Sequence, residues 1–153
     1  MSAVYLLDTN VVLQLLRGNT LGKYLAGTFG LMDAVNRPLV SIVTHGELLV
    51  IADRNKWGSD KLAALRTAMD NLVTIDLNHR AVLAAYVEVQ RFSRMRVGGA
   101  RELNANDAWI VACAKAADAT LLTTDGDFRH LKLPDWPVQF VDPAPFLQAK
   151  KEV

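Results

Sequence analysis

Short apolar runs alternate with stretches of helical spacing along this chain, and most of the runs end at polar residues. The run over residues 4–7 stops at Asp8, and apolar residues then recur at helical spacing until Gly18. Continuous apolar runs of this length are typical of strands buried on both faces of a parallel sheet. The pattern predicts strands over 4–7, 39–43, 72–75, 120–123 and 138–141, and helices over about 11–17, 20–34, 45–56, 60–71, 79–96 and 106–117.

Strands that alternate with helices predict an α/β fold, a three-layer α/β/α sandwich around a central parallel sheet of four to five strands. The 153 residues, of which 51% are hydrophobic, suit one domain over 1–153, with its core at about 4–141 and a short tail at 142–153. Open sheets of this class bind ligands beyond the carboxyl ends of their strands. We therefore expect the chemistry at that edge.

Composition and charge exclude several classes of protein. The formal net charge is +1, from 17 basic and 16 acidic residues, so any surface that binds nucleic acid must be local. The single Cys113 cannot form an intramolecular disulfide, and its apolar helical neighbours predict a buried thiol. The first residues do not resemble a signal peptide, and no apolar run is long enough to span a bilayer. We expect a soluble cytoplasmic protein without a membrane partner.

Four acidic residues occupy corresponding places in the predicted fold. Asp8 directly follows the first strand, and Asp125 follows the fourth. Glu47 lies in the first turn of the predicted helix after the second strand, and Asp107 opens the helix that feeds the fourth strand. Because that helix runs back across the sheet, all four residues are expected at the carboxyl edge of the strands.

Each acid also has a purely structural interpretation. Asp8 fits a helix N-cap, Thr44 and Glu47 fit a capping box, Asp107 complements a helix dipole, and Asp125 fits a turn. Four converging carboxylates, however, would repel one another and raise their own pKa values unless a cation lay among them. Oxygen ligands favour Mg²⁺ or Mn²⁺, and the sequence offers neither a Cys pair nor zinc-type His spacing.

Four segments together resemble the PIN domain, and most closely the VapC-type toxins of prokaryotic toxin–antitoxin pairs. They are Leu6–Asn10, the Glu47 helix, Asn106–Ala112 and Leu121–Phe128, and the resemblance extends from residue 4 to about 141. It implies an α/β/α sandwich and a Mg²⁺- or Mn²⁺-dependent endoribonuclease whose substrate is RNA, with transfer RNA as the family-level expectation. It also implies a homodimer and a cognate VapB-type antitoxin that blocks the site.

The resemblance also implies roles for individual residues. The catalytic and metal-binding set comprises Asp8, Glu47, Asp107 and Asp125, with Asp127 as a further metal ligand. Supporting hydrogen bonds are expected from Thr9 and Asn10 to Asp8, and from Thr124 to Asp125. The chain is somewhat longer than many such toxins, and the additional residues are expected within 18–36 and 95–104.

A cluster of arginines precedes Asp107 and flanks the Gly98-Gly99 pair. Arginines beside an acidic site would bind RNA phosphates, whereas the alternative is a solvated helix end. The cluster consists of Arg91, Arg94, Arg96 and Arg101.

Other functions fit the sequence less well. A haloacid-dehalogenase-type phosphatase would carry a second acid where Asn10 stands. A receiver domain would need paired acids beside Asp8, which the sequence lacks. The sequence also contains no Gly-x-Ser-x-Gly motif of a serine hydrolase. The alternative to an enzyme is a PIN-like domain that only binds nucleic acid or protein. The complete acidic set argues against it, since degenerate members typically lose some of these residues.

Overall fold

The computed structural model describes residues 3–95 and 103–148. Strands and helices alternate through most of the chain. The strands are β1 (Tyr5–Leu7), β2 (Leu39–Ser41), β3 (Val73–Ile75), β4 (Thr120–Thr123) and β5 (Val138–Phe140). The helices are α1 (Thr9–Arg17), α2 (Thr20–Thr28), α3 (Ile42–Arg54), α4 (Ser59–Asp70), α5 (Arg80–Arg94), α6 (Ala105–Ala116) and α7 (Ala144–Gln148), with a 3₁₀ turn at Gly126–Phe128.

The five strands form one parallel sheet in the order β3-β2-β1-β4-β5. The chain fills one half of the sheet with β1, β2 and β3 and then crosses to the other side of β1 for β4. Between β1 and β4 the connections therefore leave in opposite directions, and a crevice opens at the carboxyl ends of these two strands. Asp8 follows β1 and Asp125 follows β4, so the topology brings both residues to that crevice.

Two apolar cores cover the two faces of the sheet. On β1, Leu6 packs into the core beneath α5 and α6, whereas Leu7 packs into the core beneath α1, α2 and α4. On β4, Leu121 and Leu122 alternate in the same way. The predicted three-layer sandwich with a parallel sheet is thus confirmed. Among the described residues, no helix is long and apolar enough to cross a membrane.

The helix expected over 20–34 ends at Thr28, which corrects the prediction. Gly30 adopts a left-handed φ of +63°, and the Leu31 N–H donates to the carbonyl of Ala26. This is the Schellman arrangement, in which the residue after the cap turns left-handed and closes the last turn. The sequence signal for this stop was Gly30 itself.

Two further elements were not expected from the sequence. The 3₁₀ turn at Gly126–Phe128 follows β4, and α7 lies within the predicted tail. The Asp142 side chain accepts a hydrogen bond from the Ala144 N–H at the start of α7, and Phe146 of α7 packs against Tyr24 of α2. The folded chain thus extends beyond the expected core boundary of 141.

Candidate active site

Asp8 forms the buried centre of the site, with 3% of its surface exposed. Its backbone caps α1, and its Oδ1 accepts a hydrogen bond of 2.8 Å from the Thr9 N–H. Its Oδ2 accepts a 2.7 Å bond from the hydroxyl of Thr123, the last residue of β4. The same hydroxyl accepts from the Asp125 N–H at 3.0 Å. Thr123 therefore connects the two acids that follow the neighbouring strands.

Glu47 is held by a contact between α3 and the start of α1. The Thr9 hydroxyl donates to Glu47 Oε1 at 2.7 Å and lies 3.1 Å from the hydroxyl of buried Thr44. The capping-box interpretation of Glu47 is wrong, because α3 begins at Ile42 and Ser41 is its N-cap. Glu47 therefore lies in the second turn of α3, and its carboxylate is available to the crevice.

Asp107 stands in the first turn of α6, where Asn104 is the N-cap. The Asp107 N–H donates to Asn104 Oδ1 at 2.9 Å, and Asn104 Nδ2 donates back to Asp107 Oδ2 at 3.0 Å. This reciprocal pair fixes the carboxylate at the end of the helix. The other Asp107 oxygen, Oδ1, makes no hydrogen bond to the part of the chain that the structure describes.

Asp125 and Asp127 belong to the 3₁₀ turn after β4. Asp125 Oδ1 accepts a 2.9 Å hydrogen bond from the Asp127 N–H, which orients its carboxylate. Carboxylate oxygens of Asp107, Asp125 and Asp127 lie within 4.8 Å of one another. This is a set of oxygen donors around one point, the ligand chemistry that Mg²⁺ and Mn²⁺ favour, so the residues fit such an ion.

Burial and mutual repulsion raise the pKa values of two of these acids. Burial raises the pKa of Asp8 from 3.8 to about 6, against the lowering effect of its hydrogen bonds from Thr123 and Thr9. Burial and, after it, the carboxylates of Asp8, Asp125, Glu47 and Asp127 together raise the pKa of Asp107 from 3.8 to about 7. All five acids therefore interact electrostatically. Without a cation, the site holds its negative charge at a cost.

The supporting residues make different contacts from those expected. The Thr9 side chain bonds to Glu47 rather than to Asp8, and only its backbone N–H reaches Asp8. Asn10 is exposed and makes no hydrogen bond within the described residues. Thr124 makes no hydrogen bond to Asp125 among the described residues, and the Thr123 hydroxyl accepts one from the Asp125 backbone N–H.

The predicted arginine cluster is only partly described. Arg91 and Arg94 lie exposed in the last turn of α5, and neither forms an ion pair with the acidic set among the described residues. Arg96 and Arg101 lie outside the described residues.

Two other arginines, which were not predicted from the sequence, lie on or next to elements that carry the acids. Arg54 lines a cavity of about 520 Å³ together with Glu47 and Asn106, the residue before Asp107. Arg129 follows the 3₁₀ turn that carries Asp125, and its guanidinium stacks on the Phe140 ring at 4.7 Å. The signal for Arg54 was its spacing of seven residues from Glu47, two helical turns along the same helix.

Comparisons with known proteins identify a family and similar folds. The family model of the PIN domain matches residues 5–133. VapBC2 from Rickettsia felis, solved with a DNA fragment from their promoter, is similar with a TM-score of 0.68 and 22% identity, covering 91% of this chain and 99% of that one. VapBC-1 from nontypeable Haemophilus influenzae gives a TM-score of 0.70 at 20% identity, covering 90% and 97%. A toxin–antitoxin complex from Klebsiella pneumoniae gives 0.64 at 20%, covering 88% and 95%. A search of curated proteins finds no match.

Proposed function

Because the chain belongs to the PIN domain family, we propose that it is a metal-dependent endoribonuclease that hydrolyses phosphodiester bonds of RNA. One observation carries the proposal. The carboxylates of Asp107, Asp125 and Asp127 lie within 4.8 Å of one another. Asp8 and Glu47 lie near enough to raise the pKa of Asp107, and burial raises the pKa values of both Asp8 and Asp107. A site of structural caps alone would not need to bring five acids together.

The proposed roles follow from what holds each side chain. Asp8, Asp107 and Asp125 bind the cation directly, since hydrogen bonds already fix their carboxylates. Asp127 completes the set of ligands from the exposed side. Glu47 binds through a water molecule or accepts the proton of the attacking water, because its carboxylate is held by Thr9 at the rim of the site.

The chemistry needs an activated water and a partner for the charge on the phosphate. A bound Mg²⁺ or Mn²⁺ supplies both, since it lowers the pKa of a coordinated water and offsets negative charge on phosphorus oxygens. Arg54, which lines the cavity beside Glu47, is placed to bind an RNA phosphate and to reduce the repulsion between the acids and the RNA.

We further propose that the protein is the toxin of a VapBC-type pair, with transfer RNA as the expected substrate class. The likeness to VapBC structures supports this role. In that case the chain forms a homodimer and binds a VapB-type antitoxin. Exposed apolar side chains offer contact area for such partners, including Leu49 and Val50 on α3 and Val35 before β2.

Cleavage of RNA by the purified protein tests the enzymatic proposal. We expect cleavage of transfer RNA with Mg²⁺ or Mn²⁺ and none with EDTA. Asp8→Asn should reduce the rate by several orders of magnitude, because a ligand of the cation is lost. Asp53→Asn, an exposed acid on α3, is the matched control and should cleave like the unmodified protein. Metal-independent cleavage, or full activity of Asp8→Asn, would contradict the proposal.

Binding of the cation can be measured without RNA. Mn²⁺ should raise the unfolding temperature of the unmodified protein and leave that of Asp107→Asn nearly unchanged, because a ligand that binds only the folded state stabilises it. Equal stabilisation of both proteins would remove Asp107 from the proposed ligands.

Growth arrest on expression tests the toxin role, and relief by Asp8→Asn would tie it to the acids. Sedimentation or light scattering tests the homodimer. A monomer at micromolar concentration would contradict that part of the proposal alone.

A further inference from the structure

A second pocket, of about 250 Å³, opens beside the acidic site at the same edge of the sheet. Thr124, which lies between Thr123 and Asp125, lines this pocket together with Asn10 of α1. Gln14 and Asn19 form a polar wall, and Phe146 and Leu147 of α7 form an apolar wall. The proposed function leaves this pocket without a role.

The polar wall presents a hydrogen-bond donor in a fixed direction. Asn19 Oδ1 accepts from the Gly22 N–H at 2.8 Å, so its Nδ2 is turned toward Gln14 and donates to Gln14 Oε1 at 2.6 Å. The acceptor of the Gln14 amide is thereby occupied. Its Nε2, with two N–H donors, makes no hydrogen bond to the described part of the chain.

Close packing of two helices keeps this wall in place. A Cβ on Gly22 would lie 2.2 Å from the backbone oxygen of Gln14, so only glycine lets α2 approach the end of α1 this closely. The apolar wall is also fixed, because the Phe146 ring packs against the Tyr24 ring of α2, with 4.9 Å between the ring centroids. Both walls therefore rest on α2.

The residues that line the pocket suit a flat, mostly apolar group with polar atoms at one edge. Its volume of about 250 Å³ is below the roughly 300–1,000 Å³ of pockets that enclose whole small-molecule ligands. Single-stranded RNA is recognised through unstacked bases that pack on aromatic side chains and form hydrogen bonds at their edges. Phe146 and Leu147 offer the apolar contact, and Gln14, Asn10 and Thr124 offer the polar one.

We propose that this pocket binds one nucleobase of the RNA next to the phosphodiester that the acidic site cleaves. It favours a base with a carbonyl oxygen toward Gln14, such as guanine or uracil, over adenine, because the free group of Gln14 is a donor and the exocyclic amino group that adenine carries in place of the carbonyl is a donor as well. The proposal rests on the proposed nuclease function, because the base belongs to the RNA that the acidic site cleaves. It adds the origin of sequence preference, which the acids cannot provide.

Gln14→Glu tests the polarity of the pocket with little change of shape. The glutamate can still accept from Asn19, but its second oxygen replaces the two donors. Asn71→Asp is the matched control, the same amide-to-acid change at an exposed position that does not line this pocket. Equal unfolding temperatures of the two variants and the unmodified protein establish that the fold is intact.

The first readout is the sequence around the cut, from oligoribonucleotides that differ at one position at a time. The unmodified protein should favour guanine or uracil at one position beside the cut. For Gln14→Glu, kcat/KM on that base should fall about tenfold and the preference over adenine should disappear, because a hydrogen bond is lost and an acceptor faces an acceptor. Asn71→Asp should retain both the kcat/KM on that base and the preference for it over adenine. An unchanged preference in Gln14→Glu, or an equal loss in Asn71→Asp, overturns the proposal.

The second readout does not depend on catalysis. In EDTA, uridine should shift the side-chain amide NMR signal of Gln14, and adenosine should shift it less. If the unmodified protein cleaves no RNA, the proposed function fails and this titration alone decides whether the pocket binds a base. No shift at millimolar uridine overturns the base pocket even when RNA cleavage is present.

Discussion

The buried carboxyl of Asp8 makes the stability of the metal-free protein depend on pH in a specific direction. Its pKa is about 6 in the fold, against 3.8 for an ordinary aspartate. The folded state therefore binds this proton more tightly than the unfolded chain does, and the resulting stability is fully present below about pH 4. It is lost as pH rises through 6. A difference between 3.8 and about 6 corresponds to about 3 kcal/mol.

Asp8→Asn removes the charge and retains the shape of the side chain. Its carbonyl can still accept from the Thr9 N–H, whereas the Thr123 hydroxyl loses its acceptor, at a cost of about 1 kcal/mol. At pH 8 without metal, the variant should therefore be more stable than the unmodified protein by about 2 kcal/mol. The charge of Asp8 also raises the pKa of Asp107, so its removal relieves a second penalty in the same direction.

Urea unfolding in EDTA at pH values from 4 to 8 measures this difference. The advantage of Asp8→Asn should grow with pH, vanish between about pH 4 and 5, and give way to a disadvantage of up to about 1 kcal/mol at lower pH. Added Mn²⁺ should reverse the order at pH 8, because only the carboxylate binds the cation well. Asp53→Asn, at an exposed position, is the matched control for the loss of one carboxylate. A pH-independent difference between Asp8→Asn and the unmodified protein would refute the reasoning, since the burial penalty would then be absent.

Three further substitutions, two of them with a matched control, test the surroundings of the site. Thr123→Val removes the hydroxyl that bonds to both Asp8 and Asp125, and it should weaken Mn²⁺ binding about 10- to 100-fold. Calorimetry measures this affinity, and an unchanged value would exclude a positioning role for Thr123. Gly22→Ala should destabilise the fold by about 1–3 kcal/mol because the methyl group meets backbone, whereas Gly27→Ala, with open space, should stabilise it by about 0.5–1 kcal/mol in urea unfolding. Equal effects of Gly22→Ala and Gly27→Ala on stability would contradict the close approach of α2 to the end of α1. Arg54→Gln should raise the KM for RNA and reduce the salt dependence of RNA binding, whereas the control Arg91→Gln should change neither. The reverse result would assign the phosphate contact to Arg91 of α5 instead.

The fold could largely be predicted because its elements are marked locally. The apolar run Thr120–Thr123 coincides with β4, and Gly18 ends α1 as its pattern indicated. The errors lie where two local signals competed. Helical spacing continued past Gly30, but the left-handed glycine determined the end of α2. Thr44 resembled an N-cap three residues before Glu47, yet Ser41 had already started the helix.

The convergence of the acids could be predicted from topology, but their hydrogen bonds could not. Asp8 and Asp125 each follow a strand, and in a parallel sheet such residues lie at the same edge whatever the order of the strands. Whether Thr123 or Thr124 faces Asp8 depends on which side of β4 each residue occupies and on its register with β1. The pairing of Thr9 with Glu47 joins residues 38 positions apart and depends on how α3 packs against α1. Such contacts carry no local signature.

The hydrogen bond between Thr123 and Asp8 spans 115 positions of the chain, and this has a consequence for synthesis of the protein. Asp8 leaves the ribosome early, but its partner and Asp125 are added only after most of the domain has been translated. A nascent or truncated chain lacks one side of the crevice and cannot assemble the acidic centre. The acidic centre should therefore form only after Asp125 has been synthesised and β4 has paired with β1.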